Sequence, residues 1–301
     1  MNGWPAVFAH LAPFPEHQEL YSELWEMVSH PTTNKRVIAV VGPCGSGGSS
    51  MIRALASAPP KAYQREADLL DRSCVNAQLG TLIARGDSVF GPEDLLDEIF
   101  AAAGGYPPSS ALAVPEQYVT AVLMEQLPAQ LAKAGVRTIL IEDLGRCYLG
   151  RNVSPVLMRG YAQALRYLTT LPHVTVIASG YEALAEFIDA TPTLAHAFER
   201  RTMKSVGNSF ALRRWVATLE KELLARLPAD LDLGGRSPGL SEPDKLEQIR
   251  AHSEGLPGWI DFHVKRAFDE FVQPTRDARD DKTREDFLNE EDTDPPPSDP
   301  D

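Results

Sequence analysis

The sequence feature that most constrains the fold is a glycine-rich loop that directly follows a short apolar run. The run VIAVVG ends at residue 42, and residues 42–49 are G-P-C-G-S-G-G-S. This string satisfies the phosphate-binding pattern G-x-x-x-x-G-K-[ST] at every position except the lysine, which is Gly48 here. A helix-compatible stretch follows from Met51 and must end at Pro59 and Pro60. Strand, glycine loop and helix in this order predict a phosphate-binding loop.

Alternating strand and helix patterns continue beyond this loop. We predict further strands in LGTLIAR (79–85), RTILIED (137–143) and HVTVIASG (173–180). Apolar residues at helical spacing predict two of the intervening helices, one through Val119, Leu123, Leu127 and Leu131, and one through Leu157, Tyr161, Leu165 and Leu168. This alternation predicts an α/β fold of the P-loop NTPase kind, with a mostly parallel sheet flanked by helices and a ligand site at the carboxyl ends of the strands.

The strand signals stop at residue 208, and three helical patterns follow up to residue 272. We therefore divide the chain into an N-terminal helical lead-in (1–35), an α/β core (36–207), a small all-helical lid (208–272) and a tail (273–301). The tail holds eleven acidic and four basic residues, a net −7 of the chain's −13, and ends in prolines and acids. Because it has almost no apolar residues to bury, we expect it to be disordered.

Composition limits the class of protein. Without the tail the body carries a net charge of −6, which argues against broad electrostatic capture of nucleic acid but allows a local basic groove. The three cysteines, Cys44, Cys74 and Cys147, are odd in number and widely spaced, a pattern of neither a disulfide framework nor a zinc site. No run approaches eighteen apolar residues, and prolines interrupt the N-terminus. We expect a cytoplasmic protein that neither crosses a membrane nor is secreted.

The strand RTILIED ends in two acids, Glu142 and Asp143. P-loop ATPases need one carboxylate to hold Mg²⁺ through water and another to orient the attacking water. We therefore predict a site for ATP and Mg²⁺, with Ser49 and Glu142 as metal ligands and both acids as catalytic candidates. The predicted phosphate-binding residues are Gly42, Pro43, Cys44, Gly45, Ser46, Gly47, Gly48, Ser49 and Ser50. The alternative is an ordinary flexible glycine loop and two acids that merely end a strand.

Segments outside the loop carry a family resemblance. LRYL (165–168), VTVIASGYEALAEFIDATPTLAHAFE (174–199) and LPADLDLGGRSPGLSEPDKLEQIRAHSEGLPGWI (227–260), which closes with SEGLPGWI, resemble the TniB/TnsC family of AAA+ transposition regulators, over about residues 18–272. The resemblance implies an AAA+ core that assembles as a homo- or hetero-oligomer on DNA in an ATP-dependent way. It also implies recruitment of a transposase for target-site selection, with a TniQ-like targeting protein as a further partner.

Four positions depart from the family pattern. The loop lysine is Gly48, the usual Asp-Glu pair is reversed, the polar sensor after the fourth strand is Gly180, and the arginine before the phenylalanine of TPTLAHAFE is Ala197. Each departure touches γ-phosphate chemistry, so we predict nucleotide binding that is weakened, with weak or absent hydrolysis. Ser179 is the replacement candidate for the sensor hydroxyl. Arg200 or Arg201 is the candidate for a shifted arginine finger, or else an ordinary surface residue.

Basic residues after the acidic strand are the candidates for DNA contact: Arg146, Arg151, Arg159 and Arg166. Arg159 and Arg166 are seven residues apart and therefore share one helix face, which would also suit a merely solvated surface. Three hypotheses of function follow. The first is a nucleotide-binding AAA+ regulator of transposition. The second is an inactive pseudo-ATPase adaptor that assembles with an active paralogue. The third is a P-loop signalling or defence protein unrelated to transposition.

Overall fold

The computed structural model describes residues 15–29, 36–57, 74–76, 80–85, 92–105, 116–144, 155–207, 210–228, 231 and 233–291. Helices and strands follow one another in these ranges as α1 (Pro15–Ser29), β1 (Val37–Val41), α2 (Gly48–Ser57), β2 (Cys74–Asn76), β3 (Thr81–Arg85), α3 (Pro92–Ala102), α4 (Glu116–Lys133), β4 (Thr138–Glu142), α5 (Pro155–Thr170), β5 (Thr175–Gly180), α6 (Glu182–Ala190), α7 (Pro192–Ala195), β6 (Glu199–Thr202), α8 (Phe210–Ala225), α9 (Pro243–Ser253) and α10 (Pro257–Glu291).

The strands form one six-stranded sheet in the order β2-β3-β4-β5-β1-β6. Strands β3, β4, β5, β1 and β6 run parallel to one another, and β2 pairs with β3 in the antiparallel direction. Every residue of β1 and β4 is buried, as expected for central parallel strands covered on both faces. The predicted α/β fold is therefore confirmed. Strand β2 was not predicted, because three residues carry too little pattern.

Alternate residues of the central strands enter two separate hydrophobic layers. Val37, Ala39 and Val41 of β1 join one layer with buried residues of α3, α4, α5 and α6. Ile38 and Val40 join the other layer, with buried residues of α1 and α2. This two-residue alternation follows from strand geometry. The glycine loop therefore leaves a strand that is packed rigidly on both faces.

The strand order determines which strand ends meet at the site. Strand β5 lies between β1, which leads into the glycine loop, and β4, which ends in Glu142. Because parallel strands share their carboxyl edge, the loop, the acidic pair and the end of β5 at Ser179 come together there.

The helical predictions are confirmed in part at the level of single residues. Leu123, Leu127 and Leu131 of α4 are buried, as predicted. On α5, Leu157 was predicted on the apolar face but is 36% exposed. The inward face of this helix instead begins one turn later and consists of Tyr161, Ala164, Leu165 and Leu168.

The chain divides into two compact units. The first comprises Met1–Val206 with Leu256–Gly258, and the second Gly207–Gly255 with Trp259–Asp301. In the second unit, α8 buries Leu212, Val216, Leu219 and Leu223 on one helical face. Glu220 of the same helix is 6% exposed. Its carboxylate accepts hydrogen bonds from the Ser237 hydroxyl and from the N–H groups of Gly239 (2.9 Å) and Leu240 (2.8 Å).

The predicted boundary between lid and tail at residue 273 lies inside a helix. Helix α10 does not end near Val272 but continues through Pro274 to Glu291. The nucleation cost of this segment is already met by the preceding part of α10, so each added residue gains a helical hydrogen bond. The Gln273 side-chain amide supports the continuation by donating to Asp277 one turn later, at 2.6 Å. Residues 292–301 lie outside the described part of the chain.

Among the described helices, none combines the length and the apolar character that are needed to cross a membrane.

Candidate nucleotide-binding site

The glycine loop contains two positions with a backbone conformation that only glycine readily adopts. Gly45 and Gly47 have φ angles of 86° and 94°, in the left-handed region that side chains disfavour. Between them, the N–H of Ser46 donates to the carbonyl of Pro43 at 3.0 Å, which closes a tight turn. The side chain of Ser46 is buried, and Cys44 is exposed. The loop therefore has a fixed backbone shape rather than that of an unconstrained linker.

The loop ends as the first turn of α2. The N–H of Met51 donates to the carbonyl of Gly47 at 2.9 Å. The N–H groups of Gly48, Ser49 and Ser50 precede it and have no acceptor within the helix, because the first turn of any helix lacks one. Unpaired N–H groups and the positive end of the helix dipole favour an anion at this position. The predicted phosphate cradle is thus compatible with the geometry, without the charge of a lysine.

Glu142, one of the two predicted metal ligands, is paired with an arginine of α2. Its side chain is 3% exposed, and both of its carboxylate oxygens are engaged by Arg53 of α2. Arg53 Nε donates to Oε2 at 3.0 Å, and Nη2 lies 2.6 Å from Oε1. Two parallel N–H to carboxylate contacts are the strongest arrangement for an arginine ion pair. This pairing turns Glu142 toward α2, and sequence reasoning did not identify Arg53.

Asp143 is the carboxylate that meets the loop. Its Oδ1 accepts a hydrogen bond from the Ser49 hydroxyl. Its backbone has a φ of 51°, a left-handed conformation that Asp tolerates better than most residues. The N–H of Asp143 donates to Ser179 Oγ at 3.1 Å. The chain therefore turns sharply after β4 and presents Asp143, rather than Glu142, to Ser49.

Ser179 and Gly180 hold the end of β5 against this turn. Ser179 is 1% exposed, and its carbonyl accepts the N–H of Leu144 at 2.7 Å. Gly180 accepts the N–H of Gly42 at 3.3 Å. A Cβ at position 180 would lie 2.5 Å from Leu184 Cδ2 and 2.7 Å from the Leu144 carbonyl oxygen. Packing thus explains why no polar side chain stands at position 180, and Ser179 is the hydroxyl in contact with the acidic pair.

The two finger candidates on β6 are engaged by neighbouring acids. Arg200 forms an ion pair with Asp189. Arg201 contacts Glu23 of α1 at 2.7 Å and Glu199 at 3.3 Å. Its guanidinium is the main reason that the pKa of Glu23 lies below its usual range. The geometry therefore assigns Arg201 to an ion-pair network that joins β6 to α1.

The candidates for DNA contact are only partly described. Arg146 and Arg151 lie outside the described residues. Arg159 and Arg166 are exposed on α5, and the Arg159 Nε donates to the carbonyl of Pro155 at 3.4 Å. Val156, next to them on the first turn, is 67% exposed. This helix therefore presents two arginines and an apolar residue at its surface.

A further contact of the glycine loop comes from the start of α10. The N–H of Gly258 donates to the carbonyl of Gly45 at 2.7 Å. A Cβ at position 258 would lie 3.2 Å from Gly45 Cα. This close approach explains the second glycine of SEGLPGWI, Gly258. The described residues contain no cluster of three or more His, Cys, Asp or Glu side chains placed to hold a metal by themselves.

Comparison with known proteins yields a fold and no family. No protein-family model and no curated protein matches the chain. The Orc1 protein of Aeropyrum pernix, solved in complex with DNA, matches at a TM-score of 0.53 and 12% identity, over 90% of this chain and 67% of that one. The ORC2 protein of the same organism, solved as ADPNP–ADP complexes, matches at 0.53 and 11%, over 86% and 67%. Cdc6p of Pyrobaculum aerophilum matches at 0.52 and 13%, over 89% and 64%.

These likenesses concern the fold, since all three identities are below 15%. The chain spans about two thirds of the length of each of these structures. Together with the sheet order, the glycine loop after β1 and the acidic end of β4, they show that this chain has the AAA+ type of P-loop fold.

Proposed function

We propose that this protein is an AAA+-type regulator that binds a nucleoside triphosphate with Mg²⁺ at the glycine loop and hydrolyses it weakly or not at all. The observation that carries the proposal is the contact between the Ser49 hydroxyl and the Asp143 carboxylate at the end of the loop. A hydroxyl and a carboxylate are oxygen ligands of the kind that Mg²⁺ prefers. The first-turn N–H groups of α2 supply the phosphate contacts.

The glycine loop leaves room for phosphate oxygens but lacks the lysine that would add a positive charge. Gly45 and Gly47 keep the loop backbone free of side chains where phosphate oxygens would approach. Bound Mg²⁺ would offset phosphate charge, with Ser49 and Asp143 as its protein ligands. The lysine that would add a positive charge is absent, and Glu142 is held by Arg53. Binding without efficient turnover is what this combination supports.

A titration with fluorescent ATP and Mg²⁺ tests the proposal directly. We expect saturable binding that weakens about tenfold or more in both variants, since Ser49→Ala removes an oxygen ligand of the metal and Asp143→Asn removes the negative charge of the other ligand. Asp244→Asn is the matched control, because Asp244 is exposed on the first turn of α9 in the second unit. No binding to the wild-type protein at millimolar nucleotide would reject the proposed function.

The biological role that we propose is regulation of DNA transposition, with target selection and transposase recruitment by an oligomer on DNA. Support comes from the resemblance of residues 165–168, 174–199 and 227–260 to TniB/TnsC proteins and from the exposed Arg159 and Arg166. We expect DNA binding that weakens with salt. Replacing both arginines by glutamine should reduce the slope of log K against log salt by about 2, since each phosphate contact contributes about 0.9.

Two outcomes would favour the other roles. A chain that binds no nucleotide but assembles with an ATP-hydrolysing paralogue would be a pseudo-ATPase adaptor. A chain that binds nucleotide but neither DNA nor a transposase would be a signalling or defence protein with the same fold.

A further inference from the structure

Arg53 occupies a position that no phosphate-loop motif specifies, yet it makes the best-defined ion pair at the site. It lies on α2, five residues after Gly48, and reaches Glu142 at the end of β4. Its own side chain is 43% exposed, whereas the Glu142 side chain is 3% exposed. The pair therefore consists of a buried carboxylate and a cation at the edge of the site.

Charge balance explains why such a pair matters here. The site has two adjacent carboxylates, Glu142 and Asp143, and no loop lysine at position 48. A buried carboxylate without a partner is costly, and next to a triphosphate it would also repel the ligand. The bidentate guanidinium cancels the charge of Glu142 and leaves Asp143 with Ser49.

The orientation of the two acidic side chains also sets Glu142 apart from Asp143. The side chains of Glu142 and Asp143 diverge, because Asp143 leaves the strand in a left-handed conformation while Glu142 remains in β4. Glu142 points to α2, where the two N–H donors of Arg53 fix its carboxylate. A carboxylate that activates water has to be free to face the γ-phosphate, since a misplacement of about 1 Å can cost about a hundredfold in rate.

We propose that Arg53 is a charge-balancing and positioning residue that withholds Glu142 from water activation and, in place of the missing lysine, makes the acidic site tolerate a nucleoside triphosphate. This inference rests on the proposed nucleotide binding. It assigns the weak turnover to a specific ion pair rather than to the absent lysine alone.

A double-mutant cycle of Arg53→Gln, Glu142→Gln and the combined variant tests the inference, with affinity for fluorescent ATP and Mg²⁺ as the main readout. Arg53→Gln leaves an uncompensated buried carboxylate, and we expect affinity to fall about tenfold or more. Glu142→Gln leaves an extra cation, so affinity should be unchanged or tighter. The combined variant carries two neutral amides and should return to within about threefold of wild type. Arg226→Gln, at an exposed position after α8, is the matched control.

Turnover is the second readout. Any hydrolysis that the wild-type protein shows should persist within about twofold in Glu142→Gln, because a withheld carboxylate contributes nothing to the rate. A loss of tenfold or more in that variant, or an Arg53→Gln protein that binds as tightly as wild type, would overturn the inference while the proposed nucleotide binding stands. A wild-type protein that binds no nucleotide overturns both.

Folding of the variants is checked by thermal unfolding. Should Arg53→Gln fail to fold, the combined variant and Arg53→Lys decide. The combined variant carries neither charge, and Arg53→Lys keeps a cation beside Glu142, so both should fold. The combined variant should bind within about threefold of wild type, and Arg53→Lys within about tenfold, since a lysine cannot make both contacts of the guanidinium. Loss of binding in the folded combined variant contradicts the inference.

Discussion

Gly48→Lys restores the one residue that the phosphate-loop pattern lacks, and the structure indicates that it fits. Position 48 is the first residue of α2. A Cβ there would meet Ser179 Cβ at 3.4 Å and Met203 Sδ at 3.9 Å, which is close to ordinary contact distance. Gly47, in contrast, has a φ of 94°, so a side chain at that neighbouring position would be strained.

The expected gain in affinity follows from two opposing contributions. An ammonium group about 4 Å from one phosphate charge contributes about 4 kcal/mol at an effective dielectric constant of about 20. Ordering the lysine side chain costs up to about 2 kcal/mol. The net gain of about 2 kcal/mol corresponds to about thirtyfold tighter binding. Removing the glycine itself also stabilises the fold by about 0.4–1 kcal/mol, through the unfolded state.

Gly48→Ala separates the two effects, since it removes the glycine without adding charge. We expect Gly48→Ala to raise the unfolding temperature and leave the affinity for fluorescent ATP with Mg²⁺ unchanged. Gly48→Lys should then bind about thirtyfold more tightly than Gly48→Ala, by an amount that shrinks at high salt. Equal affinities of the two variants would show that the loop does not face the phosphates.

Three further predictions concern stability. Gly180→Ser should lower the free energy of unfolding by about 1–3 kcal/mol, because its Cβ would overlap Leu184. Glu220→Ala should cost about 2–3 kcal/mol, because it leaves the N–H groups of Gly239 and Leu240 without their acceptor. Asp261→Asn should stabilise the protein at pH 8, because burial raises the pKa of Asp261 from 3.8 to about 7 despite Lys265 nearby. Between about pH 4 and 7 only the folded form keeps that proton, so stability falls as pH rises through this window.

Denaturant unfolding checks all three. Full stability of Gly180→Ser would show that the end of β5 has room for a polar side chain. Lys221→Ala, exposed on α8, is the control for Glu220→Ala, and equal stabilities would contradict the role of Glu220 in holding the loop. For Asp261→Asn, unfolding is followed from pH 4 to 8. A variant with the same decline in stability as wild type would show that another group causes it.

The parts of the fold that were predicted correctly carry strong local patterns. The apolar runs of β1, β4 and β5 are buried central strands, and a run of five buried residues is visible without any partner. The spacing of Leu212, Val216, Leu219 and Leu223 likewise shows the buried face of α8. Helix α10 beyond Val272 was missed for the opposite reason. Disorder was predicted because residues 273–301 have few apolar side chains to bury. A segment that continues an existing helix needs no new nucleus and can therefore be helical without them.

For the site residues too, local patterns were predictable and long-range contacts were not. The strand, the glycine loop and the acidic pair are each recognisable from their own residues. Because parallel strands share a carboxyl edge, the topology then predicts that they meet there. The pairing of Arg53 with Glu142 joins residues 89 positions apart, and no local pattern specifies it. The engagement of Arg201 by Glu23, across 178 positions, is of the same kind.

The structure explains the reversed order of the acidic pair, Glu142 followed by Asp143. Predicting the roles of the two acids from their order along the strand assumes that both side chains point to the loop. Successive strand residues face opposite sides, so Glu142 belongs to the α2 side, while Asp143 reaches Ser49 only because the backbone turns into the left-handed region. Of the two acids, Asp adopts this conformation more readily, since its short side chain can bond locally. Glu, with one more methylene, spans the distance to Arg53. Glu then Asp is therefore a consistent arrangement for holding Ser49 and neutralising the second acid, rather than a decayed form of the opposite order.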